Sequence, residues 1–164
     1  SYQDASRYQT RESTWSDTLY GAAFSCVDWA KFWDIATKDD MDHLDRFAIC
    51  EIIAKHGNPL VLEWARKRGF QWNESTCACA ARYGRLEVLR WANQNGCPWS
   101  GSTRLEAARG GHFKVLKYAD QQGCPRYGNI CDIAAEEGHL EVLKYEHEQG
   151  GRMTTNTCFE AVRS

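Results

Sequence analysis

Glycines recur along this chain at steps of 27 residues, and that period limits what it can become. Gly57, Gly84, Gly111 and Gly138 form one series, and Gly69, Gly96, Gly123 and Gly150 form a second with the same step. Leu62, Leu89, Leu116 and Leu143 make a third. Three series in one phase do not arise by chance. A fixed period of about 20 to 50 residues marks units too small to bury their own apolar face, so each must stack on its neighbours.

The stretch Thr76 to Trp99 shows what one unit builds. Ser75 or Thr76 offers a hydroxyl at a helix start, and Cys77, Ala80 and Ala81 put small apolar groups on one helical face. Gly84 ends that short helix, since glycine accepts the left-handed conformation common just past a helix end. Leu86, Val88, Leu89, Trp91 and Ala92 make a second helix whose apolar stripe is wide enough to predict burial on more than one side. Gly96 stops it, and Cys97-Pro98-Trp99 turns the chain toward the next unit. Ala54, Ala81, Ala108 and Ala135 are equivalent, as are Trp64, Trp91, Tyr118 and Tyr145. Small residues on first helices and bulky ones on second helices predict a curved stack with a concave face.

The pattern Thr103-x-x-x-Ala107-Ala108-x-x-Gly111-His112-x-x-Val115-Leu116 followed by Gly123 resembles the ankyrin repeat. Ala134-Ala135-x-x-Gly138-His139-Leu140-Glu141-Val142-Leu143 matches it more closely. The resemblance covers about residues 47–164. It implies an all-α, ankyrin-like helix-turn-helix solenoid that serves as a protein-binding scaffold with no catalysis of its own. The period is shorter than the common form's of about 33. The inter-repeat finger is therefore expected to shrink to a tight loop, and the Thr-Pro-Leu-His opening is absent.

In chain order, residues 1–14 read as a flexible tail. Residues 15–46, rich in Trp15, Phe24, Trp29, Phe32 and Trp33, fall outside the repeat frame. They read as a helical cap over the first unit or as a docking element anchored by tryptophans. Repeats are expected at about 47–74, 75–101, 102–128 and 129–155, with a partial one at 156–164. The chain starts at Ser1 and ends inside a repeat, so we expect it to belong to a longer protein.

The net charge is −2, which supplies no global basic field for nucleic acid or an anionic membrane. No stretch approaches the ~18 apolar residues of a membrane span. Cys50, Cys77, Cys131 and Cys158 share one repeat position, and Cys97 and Cys124 another. Equivalent positions in packed helices lie on the order of 10 Å apart, beyond disulfide reach, so these thiols read as small buried hydrophobes in a reducing compartment. That points to the cytoplasm, with an organelle as the alternative should a targeting segment lie outside this chain. Cys77-Ala-Cys79 lacks zinc-knuckle spacing, and no metal or cofactor is expected.

Nothing in the sequence assembles a catalytic constellation, so the chain reads as no enzyme and takes no small-molecule substrate. His112 and His139 follow the glycine of their units and read as side chains bonded to turn backbone. The residues that vary within the framework carry the functional expectation. On first helices these are Arg82, Tyr83, Glu106, Arg109, Asp132, Glu136 and Glu137, and on the loops Trp99, Arg126 and Tyr127. If they share a concave face, the arginines oppose Glu136 and Glu137, and a protein partner of opposite charge order fits. The alternative is a structural subunit of a ribonucleoprotein or other large assembly. That subunit would contact RNA through second-helix residues such as Arg66, Lys67, Arg68, Arg90, Lys114, Lys117 and Lys144.

Overall fold

The computed structural model describes residues 46–155 and 157, with side chains from Ile49 onward. The expected tail and cap at 1–45 and the end of the partial repeat at 158–164 lie outside the described residues. Within them the chain is all helical. Eight helices follow in order: α1 (Arg46–His56), α2 (Pro59–Lys67), α3 (Glu74–Arg82), α4 (Leu86–Gln94), α5 (Gly101–Arg109), α6 (Phe113–Gln121), α7 (Ile130–Glu136) and α8 (Leu140–Glu148). No strand occurs among the described residues, and the loops between pairs are short.

Each pair is closed by one glycine and released by another. Gly84, at φ +69°, lets the Arg85 N–H donate back to the Ala80 carbonyl at 2.8 Å. Gly96, at φ +80°, does the same for Cys97 and Ala92 at 2.9 Å after the second helix. This left-handed cap satisfies carbonyls that the helix end would orphan. Pro59 stands in the first turn of α2, where its missing N–H costs nothing, behind the Asn58 cap.

Helix starts differ from the sequence expectation. The α3 cap is Asn73, whose side chain accepts from the Ser75 N–H at 3.0 Å. Thr76 instead turns its hydroxyl back to the Asn73 N–H and is buried at the third helical position. The geometry is a capping box, which puts the start before Ser75. One unit on, Ser100 holds this cap position, but Tyr127 stands there in the third. With Gly128 following at φ +72°, α7 begins only at Ile130 and is shorter than its counterparts.

First helices pack side by side, α3 between α1 and α5, and α5 between α3 and α7. Ala81, Ala108 and Ala135 are buried at these contacts because only small side chains allow such close approach. Second helices supply the bulk of the core. Val61, Leu62 and Ala65 on α2 are fully buried, as are Val88, Leu89 and Ala92 on α4 and their equivalents Leu116 and Ala119 on α6. Burying a leucine or valine stabilises by roughly 1.5–3 kcal/mol.

Candidate protein-binding surface

Lys55, Arg82, Arg109 and Glu136 hold one repeat position in the last turn of α1, α3, α5 and α7. A ladder of side chains from the next unit holds the carbonyls of the first three. Arg85 Nε donates to the Lys55 carbonyl at 2.8 Å, His112 bonds the Arg82 carbonyl, and His139 Nε2 lies 3.1 Å from the Arg109 carbonyl. Both histidine rings sit against the glycine of the preceding unit, Gly84 or Gly111, where any β-carbon would strike the imidazole. Their backbone partner is thus the preceding first helix, across a repeat boundary. Burial lowers the His112 pKa, and the bond to Arg82 only partly offsets this.

The structure brings Arg82, Glu106 and Arg109 together. Glu106 Oε2 lies 3.1 Å from Arg82 and Oε1 lies 2.5 Å from Arg109, so one carboxylate divides two guanidiniums from adjacent helices. Tyr83 is 40% exposed, and its ring lies 5.2 Å beneath the Lys55 ammonium. Glu136 at the end of α7 and Glu137, its cap, are exposed. Asp132 is turned inward, accepting from Asn129 Nδ2 at 2.5 Å, from the Thr154 hydroxyl at 2.7 Å and from the Thr157 hydroxyl. It ties α7 to the segment after α8 and offers little to a partner.

The loop residues divide in the same way. Trp99 is half-buried against Tyr118, with ring centroids 6.2 Å apart, and Trp72 meets Trp91 at 5.8 Å. Both tryptophans wedge a loop onto the second helix that follows. Arg126 donates to the Gln149 carbonyl at 3.2 Å and stands 3.8 Å from Asp120, which pins its loop. Tyr127 projects from that loop with 73% of its surface exposed. Its β-carbon packs where a side chain on Gly101 would go, so only glycine fits beneath it.

One cluster escaped the sequence reading. Arg104 is fully buried, with Nη2 2.5 Å from Glu146 and 2.9 Å from Asp120. The signal was a break in two series. Arg104 stands where the other units place Cys50, Cys77 and Cys131, and Glu146 stands where they place Ala65, Ala92 and Ala119. The two exceptions to the pattern are each other's partner. Burial pushes the Glu146 pKa up, with the Arg104 charge acting against it. Arg104 Nε and Asp120 Oδ2 are buried without a hydrogen-bond partner.

Cys50, Cys77, Cys97, Cys124 and Cys131 are buried free thiols, and Cys158 lies outside the described residues. Burial pushes Cys50 up to about 12 and Cys124 to about 11. A hydrogen bond with Cys97, together with burial, pushes Cys77 up as well. Cys50, Cys77 and Cys124 therefore stay protonated at neutral pH, which suits packing better than nucleophilic or metal-binding work. The Cys77 contact joins unlike repeat positions, a pairing that comparing equivalent positions could not reveal. Among the described residues no group of three metal-ligating side chains gathers, and no helix is long and apolar enough to cross a membrane. No protein-family model matches the chain, and no curated protein is significantly similar to it.

Proposed function

We propose that this chain is a non-catalytic interaction scaffold of ankyrin-like solenoid architecture that binds a protein partner across its first-helix row and adjoining loops. The observation that carries this reading is the contrast within α1, α3, α5 and α7. One inward position repeats as buried alanine at Ala54, Ala81, Ala108 and Ala135, whereas the last-turn position changes from Lys55, Arg82 and Arg109, whose carbonyls Arg85, His112 and His139 hold, to Glu136. A rigid frame carrying variable charge suits selection among partners. The basic second-helix residues are engaged differently. Arg66 lies over Trp72 at 4.3 Å and Arg90 over Tyr118 at 5.3 Å, so these cations cover rings of their own chain.

Capture from native extract by the parent and by Arg82→Glu with Arg109→Glu, each with and without nuclease, tests the proposal. A protein retained by the parent, lost by the variant and indifferent to nuclease is the expected result. Nuclease-sensitive capture overturns it in favour of a ribonucleoprotein subunit.

A further inference from the structure

An aromatic ring on each of α4, α6 and α8 is gripped by the unit before it, and the grip repeats. Trp91 of α4 meets Trp72 at 5.8 Å. Tyr118 of α6 lies against Trp99 at 6.2 Å and under the Arg90 guanidinium at 5.3 Å, and its hydroxyl accepts from Asn93 Nδ2 at 3.4 Å. Tyr145 of α8 meets Phe113 edge-on at 5.1 Å, and its hydroxyl donates to Asp120. Leu86 and Phe113 hold one repeat position, Asn93 and Asp120 a second, and Trp72 and Trp99 a third. All six are half-buried. In the last described unit these positions are Leu140, His147 and Met153, with Lys144 where α4 has Arg90. Here the grip is open: Leu140 is 59% exposed, Met153 46%, and Lys144 and His147 are exposed as well.

We propose that Leu140, Lys144, His147 and Met153 form a socket for a tyrosine on a basic helix of a partner protein. The inner copies set the chemistry of the occupant, since two of the three hold a tyrosine and each ring arrives on a helix. Leu140 and Met153 supply apolar contact for the ring, the methionine sulfur being well suited to it. Lys144 brings a cation to the ring face, as Arg90 does for Tyr118. His147 offers a ring nitrogen to the hydroxyl, in the place of Asn93 and Asp120.

Charge sets the rest of the helix. The unit that bears the socket exposes Glu136, Glu137, Glu141 and Glu148 against Lys144 and Arg152, so a basic helix is attracted. The same carboxylates set two copies of this chain against each other at this face. On the α7 side, Thr154 and Thr157 are already tied to Asp132, which leaves the α8 side for docking. The four socket residues lie outside the first-helix row, so this site stands or falls independently of the one proposed above.

Fluorescence anisotropy with labelled, stapled helical peptides tests the inference. The first copies α6, whose Tyr118 fills the inner socket and whose Lys114 and Lys117 outnumber Asp120. The second carries Tyr118→Ala, the third Tyr118→Phe, and the fourth Lys114→Glu with Lys117→Glu. The parent should bind the first about tenfold tighter than the alanine peptide, as an aromatic anchor allows. It should prefer the first about threefold over the phenylalanine peptide, as one hydrogen bond allows. The glutamate peptide should bind about threefold weaker than the first at low salt. His147→Ala should erase only the preference for tyrosine over phenylalanine. Leu140→Lys with Met153→Lys should abolish binding, and because both side chains are exposed the melting temperature should not fall. No binding, equal binding of the tyrosine and alanine peptides, tighter binding of the glutamate peptide, or indifference to the double lysine variant overturns the inference. Sedimentation equilibrium tests the other occupant: self-association of the parent that the double lysine variant loses assigns the face to a second copy and overturns it too.

Discussion

Arg104 and Glu146 meet at 2.5 Å inside the stack, whereas Arg109 and Glu106 meet at the same distance on its face. The chemistry is identical and the surroundings are opposite. Arg104 is fully buried and Glu146 nearly so, while the Arg109 side chain is 37% exposed and Glu106 also serves Arg82. In water an ion pair gains little over its hydrated parts, so the outer pair can open at small cost. Out of water neither member is tolerable alone. The comparison separates two jobs that arginine does here: holding adjacent units together and presenting charge.

The sharpest way to break this comparison is to remove one buried partner. Glu146→Ala should cost about 3–5 kcal/mol by urea unfolding, because Arg104 then keeps only Asp120, which it meets at 2.9 Å. A cost below that range would mean that Asp120 or water neutralises the site unaided. Restoring the pattern of the other units with Arg104→Cys and Glu146→Ala together should cost less than the two single changes summed, with a coupling of about 1–3 kcal/mol. Simple additivity would show the pair to be independent. On the face, Glu106→Ala should change stability by no more than about 1 kcal/mol. A larger loss would make that bridge structural.

The smallest effects are those of pH. The raised Glu146 pKa means that the folded chain holds this proton more tightly than the unfolded chain does. Its contribution is present below the ordinary value of 4.5 and is lost as pH rises through the folded value. His112 has the opposite sign. Its lowered pKa gives a contribution present above 6.5 and lost as pH falls toward the folded value. Thermal melts across this range should steepen or flatten accordingly in Glu146→Gln and His112→Gln. Superimposable profiles for parent and variants would deny both assignments.

Much of the framework was legible in the sequence, because it rests on residues with one physical option. Gly84 and Gly96 mark turns that need positive φ, and Val88, Leu89 and Ala92 mark the face that must leave water. Local hydrogen bonding was less legible. Thr76 looked like a cap, but Asn73 competes for the same N–H groups and takes the position, leaving the threonine to close the box from inside. Within the candidate surface, residue type named Arg82, Glu106 and Arg109 as variable and charged. Only coordinates show that they neutralise one another, and that Asp132 is committed inward. Arg104 and Glu146 were hidden for a different reason. Each looks like noise in its own series, and their meaning appears when the two exceptions are placed together.

That mutual dependence also makes this part of the row hard to transplant. The arginine is on α5 and its carboxylates are on α6 and α8. A unit lifted from this place and set elsewhere would carry a buried charge away from its counter-ion, whereas units with cysteine and alanine at these two positions carry none.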